Sequence, residues 1–333
     1  MYIFIRRILW LPIVLWAVAS LTFLALRIVP GNPVESVANQ ILDPEQLAKT
    51  EALWGLNEPL WKQYGVFMSD LLRADLGVSM SSGVPLRRLL FERLPATIEL
   101  AVVALILSTL IGAAAGIASS TSRRAWLDAS VRGLSILGLS LPLFWVAIML
   151  IVVFAVRLGA FPVGGRINAR LSYETISNFM LIDFVVTGNW PALRSALWHL
   201  TLPALSIGLT SAGFAARITR SAMLEVVRAD YTRTARAKGL LERTVILKHA
   251  FRNALLPLLT LQGLQFGTLL GGAVITEIVF TWPGMGRMLL DGILKRDYPV
   301  VQGAVICVAF AYVLMNLIVD LLYYAIDPRL RSS

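Results

Sequence analysis

The residue types that most often carry chemistry are few in this chain and lie scattered among apolar segments. Neither His199 nor His249 has a carboxylate or a thiol at ligand spacing, and the single cysteine, Cys307, lies inside an apolar run. The sequence contains no HExxH and no GxSxG motif, and without a Gly-Lys dipeptide it has no GxxxxGK[ST] phosphate loop. We therefore expect no catalysis, metal centre, disulfide framework or ATP hydrolysis from this chain itself.

A second set of polar residues lies within the apolar segments, where polar groups are costly and mark transport paths by default. These candidate path residues are Gln262, Gln265, Glu277, Asn316 and Asp320. Glu277 and Asp320 lie near segment ends, where a solvated or locally paired carboxylate costs little. Gln262 and Gln265 could instead form hydrogen bonds across helices.

The composition shows what kind of protein must position these residues. Of 333 residues, 57% are hydrophobic and only 15% are charged, and the mean hydropathy is +0.73. Soluble domains have about 25% charged residues, so a soluble enzyme is excluded. The net charge of +10 does not indicate nucleic acid, because the basic residues cluster just beyond apolar segments, where they determine membrane topology.

Six segments are long and apolar enough to cross a bilayer, whose core of about 30 Å needs about 20 helical residues. They are residues 8–29, 97–119, 136–156, 199–216, 255–280 and 300–326. The first could be a signal peptide, but its apolar run is longer than a typical one, so we expect an uncleaved helix. The sequence thus predicts an all-α polytopic membrane protein with six transmembrane helices.

The basic residues predict how these helices are oriented. Sixteen of the 30 Lys and Arg residues lie at the two termini and in the loops 120–132 and 217–253, which six spans place on one side. The opposite loops hold 13 in about twice the length, so the denser set is expected in the cytoplasm, with both termini inside.

Outside the spans, the sequence predicts one membrane domain, 1–333, with two sizeable external loops, 30–95 and 157–198. The first external loop has helical patterns at 44–56 and 59–72. In the second, the short apolar run 179–186 is expected to pack on the surface. Two smaller features are a sharp turn at Trp282-Pro283-Gly284 and a possible hinge at Pro142, Pro203 or Pro257, since proline removes a backbone hydrogen bond.

The loop 217–253 is the most informative segment on the cytoplasmic side. Asp230 can N-cap a short helix, 231–238, and Gly239 can end it. Tyr231, Thr234, Ala235 and Lys238 then share one face. The small Ala235 and Ala237 would let a partner approach the backbone closely, while 242–254 starts a second helix toward the fifth span. A short basic helix between two spans could act as a lever that transmits the movement of a partner to the spans. A solvated basic loop fits the same pattern.

This loop resembles the cytoplasmic loop of membrane subunits of binding-protein-dependent ABC importers, which reads Glu-Ala-Ala, three residues, then Gly. Ala235 and Gly239 match that general pattern, and the whole loop is similar to that of the dipeptide, oligopeptide and nickel permeases. The matching runs here are Asp230-Tyr231-Thr232-Arg233-Thr234-Ala235-Arg236-Ala237-Lys238-Gly239-Leu240 and His249-Ala250-Phe251-Arg252-Asn253-Ala254-Leu255-Leu256-Pro257. Others elsewhere include Leu26-Arg27-Ile28-Val29-Pro30-Gly31-Asn32-Pro33, Arg93-Leu94-Pro95-Ala96-Thr97-Ile98-Glu99-Leu100, Phe280-Thr281-Trp282-Pro283-Gly284-Met285-Gly286-Arg287 and Arg296-Asp297-Tyr298-Pro299-Val300-Val301-Gln302-Gly303. Within this family, the run 179–183 points to the dipeptide permeases.

The resemblance implies a type I ABC importer permease fold in a bacterial inner membrane, with this chain forming half of the translocation path. It implies a second homologous permease subunit, two cytoplasmic ABC ATPases carrying ATP and Mg, an extracytoplasmic substrate-binding protein and a peptide substrate. The helix at 230–239 would be the coupling helix. Its ATPase contacts would be Asp230, Tyr231, Thr234, Ala235, Ala237, Lys238 and Gly239.

Two alternatives remain open at this stage. Within the family, nickel or glutathione could replace dipeptides or short oligopeptides as the substrate. In a different class, an ion-coupled secondary transporter would predict a membrane-centred Asp, Glu or His relay and often an internal repeat, and the sequence shows neither.

Overall fold

The computed structural model describes residues 2–28, 34, 45, 49, 51–52, 54–122 and 124–326, without the side chains of 2–8, 270–272 and 319–326. Every regular element in this part of the chain is a helix, apart from one antiparallel bridge between Val78 and Pro85. The all-α prediction is confirmed.

The helices follow one another in a simple order, with two π-helical segments. They are α1 (Tyr2–Ile28), α2 (Leu60–Leu72), α3 (Leu86–Thr121), α4 (Ala125–Ser140), α5 (Leu143–Leu150), π1 (Ile151–Arg157), α6 (Met180–Val186), α7 (Trp190–Val227), α8 (Asp230–Ala237), α9 (Glu242–Thr244), π2 (Val245–Ala250), α10 (Phe251–Gly272), α11 (Val274–Val279), α12 (Met285–Leu294) and α13 (Tyr298–Ile326).

Three of the described helices are long and apolar enough to cross a membrane: α1, α3 and α13. The bent pair formed by α4 with α5 and π1 would be a fourth if it counts as one span. The predicted spans 199–216 and 255–280 fall in α7 and in α10 with α11, so they are helical. The count of six stays a prediction.

The predicted span 136–156 is not one continuous helix, and its crossing of the membrane stays a prediction. The chain breaks at Leu141 (ψ 130°) and Pro142 (ψ 133°), and the axis bends by 102° between α4 and π1. A proline ring pushes the preceding residue out of the α region, which explains the break at Leu141. Pro203 and Pro257, in contrast, lie inside the continuous helices α7 and α10.

In the external segments, the helix predicted at 59–72 is confirmed as α2, with Pro59 at the N-cap. The pattern at 44–56 falls mostly outside the described residues. The run 179–186 is the short helix α6, and the predicted turn at Trp282 follows the end of α11, with Thr281 at a φ of 51°.

The described chain forms two compact units. The first takes its residues from 1–97 and 283–313, and its core includes Leu86, Leu90, Met285, Met288, Val300 and Ala304. The second takes its residues from 98–282 and 314–333.

In the second unit α3 packs closely on α7, because Gly112 and Gly116 of α3 lie directly against α7. A Cβ added at Gly116 would come within 2.7 Å of the Ala216 carbonyl oxygen. This Gly-x-x-x-Gly spacing is typical of close helix pairs in membranes.

A fully buried carboxylate, Asp297, closes the loop before α3 in the first unit. Its Oδ2 accepts from the Ser79 hydroxyl at 2.6 Å and from both the N–H and the hydroxyl of Ser81 at 2.9 Å. Its Oδ1 accepts from the N–H groups of Met80 at 3.1 Å and Val300 at 3.3 Å. These donors hold the loop against the first turn of α13.

In the second unit, a buried ion pair anchors the segment before α6. The Arg166 guanidinium donates to Glu99 Oε2 at 2.6 Å and to the Asn178 carbonyl at 2.7 Å, and the Leu181 N–H donates to Glu99 Oε1 at 2.8 Å. Both charged side chains are almost fully buried. The pair therefore ties α3 to the start of α6.

Candidate functional site

The short helix α8 begins one residue earlier than the sequence suggested. Ala229, in an extended conformation, is the N-cap and forms no side-chain cap bond, whereas Asp230 is the first helical residue. The prediction of Asp230 as N-cap was wrong, although a carboxylate in the first turn still faces the positive end of the helix dipole. Gly239 follows the helix at a φ of +77°, and its N–H donates to the Arg236 carbonyl at 2.9 Å.

The exposed surface of α8 differs from the face the spacing predicted. Tyr231, Thr234, Ala237, Lys238 and Gly239 are exposed, and so is Asp230. Ala235 is 6% exposed and lies on the buried side of the helix. This small side chain lets α8 pack on its own chain, and a contact of Ala235 with a partner stays a prediction.

Several polar contacts, none of which the sequence analysis singled out, brace α8 against its neighbours. The Thr232 hydroxyl, fully buried, donates to the Val226 carbonyl at 2.8 Å. The Arg236 guanidinium donates to Glu242 at 2.9 Å and to the Val227 carbonyl at 3.2 Å. The hydrogen bond to the Glu242 carboxylate raises the pKa of Arg236.

A further hydrogen bond joins α8 to α10. The Asn253 amide donates to the Tyr231 hydroxyl at 2.9 Å. Because α8 is bonded to the end of α7 on one side and to the segment 242–253 on the other, a displacement of α8 moves both flanking helices. This arrangement can act as a lever.

The candidate path residues do not converge on one site. Gln265 lines a cleft of about 370 Å³ in the second unit, together with Thr210, Ser211 and Thr268. Glu277 is fully buried in α11, and Asn316 is half-buried in α13; each has an interaction partner. The side chain of Asp320 is outside the described ones.

Gln262, one helical turn before Gln265, is 8% exposed. Neither its amide oxygen nor its amide nitrogen has a hydrogen-bond partner among the described residues, and the Gln265 oxygen has none either. The sequence left open that Gln262 and Gln265 form hydrogen bonds across helices. These bonds are not formed within the described chain. An unpaired buried amide is costly. A hydrogen-bonding group from outside the described chain would therefore stabilise this position.

The described residues include no group of three or more His, Cys, Asp and Glu side chains able to hold a metal ion. Cys307 is a free, half-buried thiol.

Comparison with known proteins covers nearly the whole chain. Residues 108–332 match the family described as the binding-protein-dependent transport system inner membrane component, and residues 1–101 match the N-terminal part of such membrane components. The dipeptide transport system permease protein DppB of Alkalihalophilus pseudofirmus is 42% identical over 326 residues, which is 98% of each chain. The protein of the same name in Escherichia coli is 42% identical over 320 residues, 95% of this chain and 94% of that one. A di/tripeptide transport system permease protein DppB of Pseudomonas aeruginosa is 42% identical over 332 residues, 99% of each.

Proposed function

The chain belongs to the family of binding-protein-dependent transport system inner membrane components, and we propose that it is the membrane permease subunit of an ATP-driven dipeptide importer. The observation that carries this proposal is the 42% identity to dipeptide permeases over nearly the full length of both chains. Membership of this family explains the apolar helices, so it takes the place of the alternative that the chain is an ion-coupled secondary transporter.

The remaining parts of the importer follow from the family. A second homologous permease would complete the path across the inner membrane, and an external binding protein would deliver the dipeptide. Two cytoplasmic ATPases would bind ATP and Mg and drive the cycle. Six spans, the type I fold and cytoplasmic termini belong to the same proposal.

In this proposal α8 is the coupling helix. Its exposed residues, led by Tyr231, Thr234 and Lys238, would contact an ATPase, and its bonds to α7 and α10 would carry the movement to the spans. Alternating access requires the ATP-bound partners to favour one arrangement of these helices, so a rigidly braced contact helix is what the mechanism needs. Gln262 and Gln265 would face the path or the second permease, with Glu277 and Asn316 as supporting polar groups.

The substrate is tested by uptake of a labelled dipeptide and of nickel in cells with and without this chain. Loss of dipeptide uptake alone is the expected result. If nickel uptake alone is lost, the chain serves the metal-importing branch of the family and the dipeptide assignment fails.

Coupling is tested by Gly239→Asp. We expect uptake to be abolished while the protein remains in the membrane, because Gly239 has a positive φ and lies on the exposed end of α8. The matched control is Gly159→Asp, at another exposed glycine with a φ of +59° and open space around it, far from α8 in the sequence. Equal losses in both variants would mean backbone strain rather than lost coupling.

A further inference from the structure

The helix α2 lies outside the predicted spans, yet it packs against the last part of one of them. The Tyr64 hydroxyl forms a hydrogen bond of 2.7 Å with the Ser20 hydroxyl of α1. The rings of Tyr64 and Phe67 have their centres 5.3 and 5.5 Å from the centre of the Phe23 ring. Phe23 is almost fully buried, so α2 helps to cover this side of α1.

These contacts place α2 near the end of α1, at the surface of the membrane. α1 is long and apolar enough to cross a membrane, and its described part ends at Ile28. Phe23 and Ser20 lie about 8 and 12 Å before Ile28 along the helix axis, at about 1.5 Å per residue. Arg27 of α1 donates to Gln63 of α2 at 3.0 Å, and a charged side chain near the end of a span places its charge at the membrane–water interface. Interfacial helices bury their apolar face about 5–10 Å at this boundary, so α2 lies at the depth of such a helix.

A row of apolar residues runs along α2 beside the surface that contacts α1. The row recurs at intervals of four, three and four residues, so it forms one line along the helix. We call it the apolar stripe, and its members are Trp61, Gly65, Met68 and Leu72. Trp61 is 76% exposed and Leu72 is 88% exposed. Within the described chain, therefore, nothing covers either end of the stripe.

Polar residues of α2 lie away from the stripe. Asp70 comes nine residues after Trp61, which is half a turn around a helix of 3.6 residues per turn. Lys62 is exposed at the edge of the stripe and forms an ion pair with Glu58 at 2.7 Å. A helix with an apolar side, a basic residue at its edge and an exposed tryptophan is typical of a membrane surface, because tryptophan is enriched at membrane–water interfaces.

The side chains that α1 exposes at the same depth indicate what surrounds the stripe. Leu21, Leu24 and Ile28 are 67%, 50% and 79% exposed. They belong to a helix that is long and apolar enough to span the membrane, so lipid chains surround them. The stripe flanks the residues of α2 that contact this part of α1, and its apolar side chains are more stable in lipid than in water.

We propose that α2 is an interfacial helix that lies on the lipid beside the end of α1. The apolar stripe contacts the acyl chains of that leaflet, and Lys62 is turned toward water. The segment 30–95 then contains a helix held by the membrane itself and is not wholly a water-exposed loop. This inference goes beyond the proposed function, because it requires only that α1 crosses the membrane.

The test uses the full chain in lipid nanodiscs, with single cysteines labelled by the fluorophore NBD after Cys307→Ala has removed the native thiol. Leu72→Cys reports on the stripe, and Lys62→Cys, at an exposed position on another side of the same helix, is the matched control. Lipids that carry a doxyl quencher near the headgroup end of an acyl chain should quench NBD at Leu72→Cys at least about twofold more than at Lys62→Cys. Equal quenching at the two positions would overturn the proposal.

Trp61→Cys repeats the measurement at the other end of the stripe. Both stripe side chains are exposed, so neither substitution removes packing within the described chain and both variants should fold. A charged, water-soluble thiol reagent gives a second readout on the unlabelled variants. It should modify Lys62→Cys at least about tenfold faster than either stripe variant, and this difference should vanish after denaturation. Equal rates in the folded protein would place the stripe in water and refute the proposal.

Together the two readouts separate the possible occupants. Slow modification with doxyl quenching is the expected result and identifies lipid. Slow modification without doxyl quenching would mean that a protein surface, from a second copy or from elsewhere in the chain, covers the stripe, and the proposal fails. Uptake of a labelled dipeptide tests the proposed function separately, because its dependence on the chain does not depend on where α2 lies.

Discussion

Asp297 and Gln262 are both buried polar side chains in an apolar helical chain, yet their surroundings differ completely. Both oxygens of Asp297 accept hydrogen bonds, from four residues of the same unit. Neither amide atom of Gln262 has a partner among the described residues. An unsatisfied buried polar group is costly. The chain completes the first arrangement alone, whereas the second lacks a partner within the described residues.

The same contrast underlies the proposal that some polar groups hold the fold and others serve transport. Glu99 and Arg166 form a buried ion pair inside the second unit, although the Arg166 Nε has no hydrogen-bond partner among the described residues. Asp297 is satisfied inside the first unit. In the proposed function, the exposed face of α8 and the glutamines of α10 are the groups that meet partners outside the chain. Substitutions in the first class should therefore lower stability, and those in the second should lower transport.

The largest effect on stability is expected from Asp297→Ala. This change leaves several buried donors without an acceptor and should lower the free energy of unfolding by about 4 kcal/mol or more. The measurement is denaturant unfolding of the purified chain in detergent. Asp291→Ala, at an exposed position of α12, is the matched control. If the two variants are equally stable, the Asp297 cluster does not hold the fold.

A somewhat smaller loss is expected from Arg166→Met, about 3 kcal/mol, because it leaves the buried Glu99 carboxylate without its cation. Adding Glu99→Gln to this variant should recover part of the loss, since the uncompensated charge is then gone. The double-mutant cycle in the same unfolding assay measures the coupling. Strictly additive losses would contradict the pairing.

The opposite result is expected from Gln262→Leu. Removing an unpaired buried amide should leave stability unchanged or raise it by about 1 kcal/mol, while dipeptide uptake falls. Thr219→Val provides the comparison, because Thr219 is fully buried with an unpartnered hydroxyl but is not among the proposed path residues. Should Gln262→Leu lower the stability while uptake is retained, the distinction between the two classes would be reversed.

The smallest effect is expected on the pH dependence of stability, at Asp183. Burial disfavours the charged form of Asp183, but hydrogen bonds from the Ser177 hydroxyl and from the N–H groups of Ser177 and Ile176 outweigh it and lower the pKa of Asp183. Because this pKa is lower in the folded state, the charged carboxylate stabilises the fold at pH values above the unfolded-state pKa of about 3.9. This stabilisation is lost as the pH falls through the folded-state pKa.

Asp183→Asn should therefore cost stability at pH 7, and this cost should become smaller as the pH falls below about 4. Thermal unfolding in detergent from pH 7 to pH 3, compared between the two proteins, measures this difference. A constant difference across that range would show that the charge of Asp183 does not contribute.

Much of the fold was predictable from the sequence, because the length of apolar runs and the positions of Gly and Pro are local signals. α1, α2, α3 and α13, the short helix α8, the positive φ at Gly239 and the turn at Trp282 all follow from them. The break at Leu141 was missed although Pro142 signals it. An apolar run of sufficient length suggests one span even where the residue before a proline leaves the helical conformation.

The sequence by itself determined that this is a helical membrane protein, and its ordered motifs indicated the permease family, because hydropathy and short motifs are properties of the chain alone. Only the tertiary structure decided which polar residues satisfy one another. Asp297 and Ser79 are 218 positions apart, and Glu99 and Arg166 are 67 apart, so no local pattern could pair them. The burial of Ala235, and the hydrogen bond between Arg27 and Gln63, likewise depend on how helices pack, which is set by contacts between residues distant in sequence.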